Sequence, residues 1–158
     1  RKQLSKVMKV LTSKIKLEKG EVLVLMDSGS TINVAKIKKH FSKYAHLVTP
    51  SSGSINGETA TTACGKKLVN RGKCLIKGKS DGQNIAIPFQ DMDVELPIVS
   101  VRKCVKSGKD VSLFEGGGEL KDRASGKTIR IYELDGTYFM KLQVDDPEEE
   151  SVFGRLGR

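Results

Sequence analysis

The stretch Val22-Leu23-Val24-Leu25-Met26-Asp27-Ser28-Gly29-Ser30-Thr31 decides how the rest of the chain is read. Its five leading apolar residues have the length and composition of a buried strand. The strand delivers one acidic residue straight into a Ser-Gly turn. A carboxylate so placed stands where a buried strand surfaces, within reach of turn hydroxyls and backbone amides. That is a way to mount a catalytic aspartate. No second copy of the arrangement occurs in the chain.

On the N-terminal side, Lys14-Ile15-Lys16-Leu17-Glu18 alternates and Glu18-Lys19-Gly20 reads as a turn. Residues 13–26 are therefore expected to form a strand-turn-strand hairpin. Residues 1–12 form a basic segment. There Leu4, Val7, Met8, Leu11 and Ile15 recur at helical spacing, while Val10, Leu11, Ile15 and Leu17 also suit β structure, so 3–12 stays open.

On the C-terminal side, residues 36–44 predict a short helix, 49–54 a loop, and 58–69 a hairpin rich in Thr and small residues. Cys74-Leu75-Ile76 and Ile85-Ala86-Ile87-Pro88-Phe89 read as strands joined by a turn over 78–83. Leu96-Pro97-Ile98-Val99-Ser100-Val101 is a second buried run, leading into a helix over 102–107 that Gly108 ends. Short strands follow at 111–114, 118–121, 128–132 and 137–144, and Asp81-Gly82 and Asp135-Gly136 read as hairpin turns. Many short strands with one or two short helices define an all-β fold, a closed barrel or a sandwich, over 13–144. Residues 145–158, with Asp145, Asp146, Glu148, Glu149 and Glu150, read as an acidic, flexible tail.

Composition limits the alternatives. A chain of 158 residues, 37% hydrophobic with 16 glycines, suffices for one domain with a real core. Aromatics are 5% and Trp is absent, so Val, Ile and Leu must fill that core. No run nears the roughly 20 apolar residues of a membrane-spanning helix, so no membrane partner is expected. Cys64, Cys74 and Cys104 are widely spaced and fit neither a disulfide framework nor a zinc site. They read as reduced thiols in an intracellular setting. His40 and His46 read as surface residues, too few for a His-based metal site, and no cofactor is expected. The opening Arg1-Lys2-Gln3-Leu4-Ser5-Lys6 lacks both an initiator Met and an apolar leader core, which reads as a piece of a longer polypeptide. The net charge of +9 allows non-specific nucleic acid as a partner of the basic surface, without an aromatic motif to read sequence.

A lone carboxylate near its ordinary pKa is a poor base and no acid at neutral pH. Two in contact cannot both ionise, so they share one proton and become acid and base at once. Such a pair activates water against a peptide carbonyl and protonates the leaving amine. With one Asp-Ser-Gly per chain, the second carboxylate must come from a second copy across a two-fold axis.

The Asp27 context resembles the active-site loop of the aspartic proteases, specifically the single-domain retropepsins of retroviruses and retrotransposons. Their apolar strand followed by Asp-Thr/Ser-Gly-Ala/Ser is similar to Leu25-Met26-Asp27-Ser28-Gly29-Ser30-Thr31. Leu96-Pro97-Ile98-Val99-Ser100-Val101-Arg102-Lys103-Cys104-Val105 looks like the Leu-Leu-Ser-Val-x-x-Leu stretch of copia-type retrotransposon proteases. Gly108, Val111-Ser112-Leu113-Phe114, the Ser125-Gly126-Lys127 turn and Asp135-Gly136-Thr137-Tyr138 continue the likeness as far as Val144.

The resemblance implies a retropepsin-like all-β barrel and an aspartic endopeptidase that processes a retrotransposon polyprotein. It would work as a homodimer in the cytoplasm or a retrotransposon particle. Asp27 would be catalytic, Ser28 would hydrogen-bond across the dimer axis, Gly29 would permit the close turn, and Ser30 would bond to the carboxylate. Thr31 completes that loop, and Ile98, Val99 and Ser100 form the second apolar motif. The hairpin over 59–68 would be the flap, with Thr61, Thr62, Ala63, Cys64 and Gly65 around its tip and over the substrate. Most retropepsins carry Gly where this chain has Ser100, a position copia-like elements also give to Ser. The alternatives are a non-cleaving dimerisation or peptide-binding module on the same fold, and a basic nucleic-acid-binding domain.

Overall fold

In the computed structural model, which describes residues 15–61 and 65–149, the first apolar run becomes β1 (Glu21–Asp27). Both of its edges are occupied. β7 (Ile98–Ser100) runs parallel to it, Leu25, Met26 and Asp27 lying opposite Ile98, Val99 and Ser100. β11 (Thr137–Val144) runs antiparallel on the other edge, from Glu21 opposite Gln143 to Leu25 opposite Phe139.

From β7 the sheet passes through β2 (Val34–Ala35), β6 (Gln83–Asp91) and β5 (Lys73–Ser80) back to β11 and so to β1. The ring is closed. Closure satisfies the strand edges internally, which an open sheet cannot do. β11 can serve three neighbours because Gln143 and Val144 pair with β5, while Thr137, Tyr138 and Phe139 pair with β10 (Thr128–Leu134). Beyond β10, β9 (Gly117–Asp122) and β8 (Lys109–Phe114) continue as a meander. A separate hairpin of β3 (Thr59–Thr61) and β4 (Lys67–Val69) joins no other strand among the described residues.

The core follows from period-two alternation. Along β5, Cys74 and Ile76 point inward while Lys73, Leu75, Lys77 and Lys79 face out. Val24, Ile76, Phe89, Val99, Ile131, Met140 and Leu142 meet in one cluster. Each such side chain contributes on the order of 1.5–3 kcal/mol by leaving water. Phe41 lies against Phe89 with ring centroids 5.4 Å apart.

Three short helices interrupt the strands: α1 (Ile37–His40), α2 (Ser52–Ile55) and α3 (Val101–Lys106). A 3-10 turn spans Ser42–Leu47. No helix among the described residues is long and apolar enough to cross a membrane.

The all-β reading holds, as do the strands over 111–144 and both Asp-Gly turns. Asp81 and Gly82 have φ of 51° and 75°, and Asp135 and Gly136 of 48° and 81°. This is the left-handed pair that a two-residue hairpin turn requires. Gly108 follows α3 at φ +97°, as a helix-ending glycine should.

Several expectations change. Residues 15–18 form no strand, and β11 rather than this segment pairs with Glu21–Leu25 of β1. Ile15 and Leu17 instead pack beside Leu23 and Phe139. Residues 1–14, including the basic segment and the start of the expected hairpin, lie outside the described residues. The expected loop over 49–54 contains α2, since Ser51 and Ser54 form a reciprocal capping box.

The acidic tail also begins docked. Asp145 N donates to Lys77 O at 2.9 Å, Tyr44 Oη donates to Asp145 O at 2.8 Å, and Lys43 pairs with Asp146 at 3.1 Å. Residues 150–158 are outside the described set. His40 is half-buried rather than a surface residue, held by Lys36 and Glu95.

Candidate active site

Asp27 ends β1, half-buried, and the chain surfaces at once through exposed Ser28 and Gly29. Asp27 Oδ1 accepts a hydrogen bond from Gly29 N at 2.8 Å. The turn brings that oxygen to 3.3 Å from where a Gly29 Cβ would stand, so only glycine fits without a shift.

The loop beyond is tied to the barrel interior. Ser100 Oγ donates to Ser30 O at 2.6 Å. The same oxygen accepts from Lys103 N at 3.2 Å and so caps α3. Ser100 N donates to Asn33 Oδ1 at 2.8 Å, and Asn33 Nδ2 donates to Pro88 O at 3.3 Å. Gln90 N donates to Asn33 O at 2.9 Å. Both Ser100 and Asn33 are buried, and the bond between them forms where water cannot compete, while those to Ser30, Lys103 and Pro88 are part-buried. Two side chains thus lock the loop to β6, β7 and α3.

Asn33 was not singled out in the sequence. Its signal was there, as one amide between apolar Ile32 and Val34, next to a strand it could not enter without a partner.

Gly29, Ser30 and Thr31 form one wall of a cleft of about 570 Å³, and Thr59, Ala60 and Thr61 of the β3–β4 hairpin form another. The hairpin is anchored at its base, where buried Leu68 packs with Val34 and Met92, and Ala60, Ile32 and Ile98 lie against them. Of the expected flap residues, Thr61 ends β3 and Gly65 stands across the tip at φ +83°. Thr62, Ala63 and Cys64 lie outside the described residues. Of the second apolar motif, Ile98 borders this cluster while Val99 and Ser100 are fully enclosed.

Asp27 and Ser28 are not part of the cleft wall, which begins at Gly29. The expected bond from Ser30 to the carboxylate is not made: Ser30 Oγ donates to Ile32 O at 2.6 Å. Among the described residues, then, Asp27 is oriented by a single backbone amide.

Other chemistries find less support. Burial pushes the Cys74 and Cys104 thiols above their ordinary range, away from the thiolate a nucleophile needs. Among the described residues no three His, Cys, Asp or Glu side chains gather as a metal site would require. A hollow of about 540 Å³ between the 3-10 turn and β5 is walled by Tyr44, Leu47, Leu75 and Pro88, with no carboxylate.

Comparison with family models, with curated proteins and with solved structures returned no match.

Proposed function

We propose that the chain is a retropepsin-like aspartic endopeptidase of a copia-type retrotransposon polyprotein, acting as a homodimer. The observation that carries this reading is the pairing of Asp27 with Ser100 across two parallel apolar strands, beside a cleft walled on one side by the β3–β4 hairpin. A carboxylate held at the mouth of a rigid barrel, next to a space for extended peptide, is what the chemistry needs.

The two Asp27 carboxylates of the dimer share one proton. The ionised one takes a proton from a bound water as its oxygen attacks the peptide carbonyl. The protonated one gives its proton to the carbonyl oxygen. Collapse of the tetrahedral intermediate then breaks the C–N bond, with a proton passing to the leaving amine. The hairpin closes over the substrate and pairs with it as an added strand. Ser28, on an exposed turn, would meet its counterpart across the dimer axis.

The test is a precursor carrying this domain, with and without Asp27→Asn. The reading expects cleavage products from the first and uncut precursor from the second, with the isolated variant keeping its melting temperature. Cleavage that persists in the variant removes Asp27 from catalysis. A stable fold with no cleavage in either form favours the non-cleaving module.

A further inference from the structure

The cleft includes a polar recess around Gly53 that the proposed chemistry does not use. Its floor is Gly53, buried within α2. A Cβ there would stand 2.6 Å from Asn70 Nδ2 and 3.1 Å from Glu58 Oε2, so the two groups converge over a space that only glycine leaves open.

Asn70 is 7% exposed and fully pinned. Its Oδ1 accepts from Gly72 N at 2.9 Å and from Ser51 Oγ at 3.4 Å, and its Nδ2 donates to Gln90 Oε1 at 2.9 Å. Glu58 is exposed but held at the backbone, its N–H donating to Gly53 O at 2.8 Å. Its carboxylate accepts no hydrogen bond from the described residues, and it is the one charged side chain among those that form the cleft.

We infer that this recess is a subsite for a lysine or arginine side chain of an extended peptide, with Glu58 as the specificity-determining residue. The inference rests on the protease reading only in taking the occupant to be a peptide. An acidic side chain would meet the Glu58 charge, and an apolar one would strip water from the carboxylate without replacing it. A long basic side chain satisfies both demands. Its aliphatic stem lies along Ala60 and Met92 on the cleft wall while its cationic head meets Glu58.

The experiment measures binding of extended ten-residue peptides to the full chain carrying Asp27→Asn, so that no turnover intrudes. The peptides differ only by Lys, Arg, Gln, Glu or Leu, scanned through each position. At one position Lys and Arg should bind roughly two- to fivefold tighter than Gln, the range of an ion pair to an exposed carboxylate. Glu58→Asp should keep the preference, Glu58→Gln should abolish it, and Glu58→Lys should turn it toward Glu. An equal preference in Glu58→Gln, no preference at any position, or no binding overturns the inference. Cleavage of the same peptides by the unsubstituted chain reports separately on the protease reading. Cut peptides without a Glu58-dependent preference sink only the subsite, and Glu58-dependent binding without cutting sinks only the proteolysis.

Discussion

Asp27 and Ser100 stand opposite each other where β1 and β7 run parallel, one half-buried and the other with no exposure at all. The half-buried carboxylate therefore inherits its position from a buried hydroxyl that never touches it. Ser100 acts through Ser30 O, the carbonyl it holds at 2.6 Å, and through the first turn of α3.

Replacing Ser100 by Ala removes both of those bonds at once. Loss of a helix cap and of a buried hydrogen bond should destabilise the fold by about 1–2 kcal/mol. For a domain of this size the melting temperature should drop by roughly 3–6 °C. If the protease reading is right, kcat falls further than KM rises, because the loop is misplaced while the cleft survives. Thermal melts and peptide-cleavage kinetics on the same preparation check both parts.

Asn33→Ala leaves the Ser100 amide buried without its acceptor and Pro88 O without its donor. A cost of about 1–3 kcal/mol is expected. Combined with Ser100→Ala, the loss should differ from the sum by at least about 0.5 kcal/mol, since the two residues share one network. A double-mutant cycle in urea measures this, and strict additivity would show that they act independently.

Two glycines in one hairpin should respond differently to Ala. At Gly78 the added Cβ would strike Gln143 O, a backbone atom of β11 that cannot swing aside. At Gly82 it would meet nothing, and only the positive φ of 75° resists it. Gly82→Ala should cost about 1 kcal/mol, and Gly78→Ala up to about 3 kcal/mol by forcing β5 and β11 apart. Urea midpoints of the two variants give the ranking.

His40 makes the fold sensitive to mild acid. Burial is the main cause that pushes its pKa below 6.5, with the nearby Lys39 and Lys36 adding to it and Glu95 opposing. Lys36 N donates to Nδ1 at 3.1 Å, so that nitrogen is unprotonated and Nε2 carries the proton toward Glu95 O at 3.0 Å. A base whose folded pKa is depressed favours the folded state while neutral. Its contribution is complete above pH 6.5 and is lost as the pH falls from there toward the folded value. Melting temperature measured from pH 8 to pH 5 should decline below 6.5, and His40→Ala should flatten that limb.

Much of the strand order was legible because alternation and turn chemistry act locally. Ile129 and Ile131 point into the core while Thr128 and Arg130 face out, as the 128–132 pattern implies. The Asp-Gly pairs needed only their own backbone preference. The segment over 15–18 was misread for a complementary reason. Its alternation suited a strand, but the partner that pairs with Glu21–Leu25 is β11, more than a hundred residues away in sequence. The docked start of the acidic tail was equally hidden, because its attachments to Tyr44 and Lys77 come from distant elements.

For the candidate site the division is similar. Sequence alone marked Asp27 as the acidic end of a buried strand, and marked 96–101 as a second apolar run, since both follow from runs of adjacent residues. Their parallel register, the Asn33–Ser100 brace and the recess over Gly53 were settled only by tertiary structure. Parallel neighbours are chosen by ring closure among strands far apart in the chain. A buried hydroxyl or amide finds its partner only after that closure has excluded water.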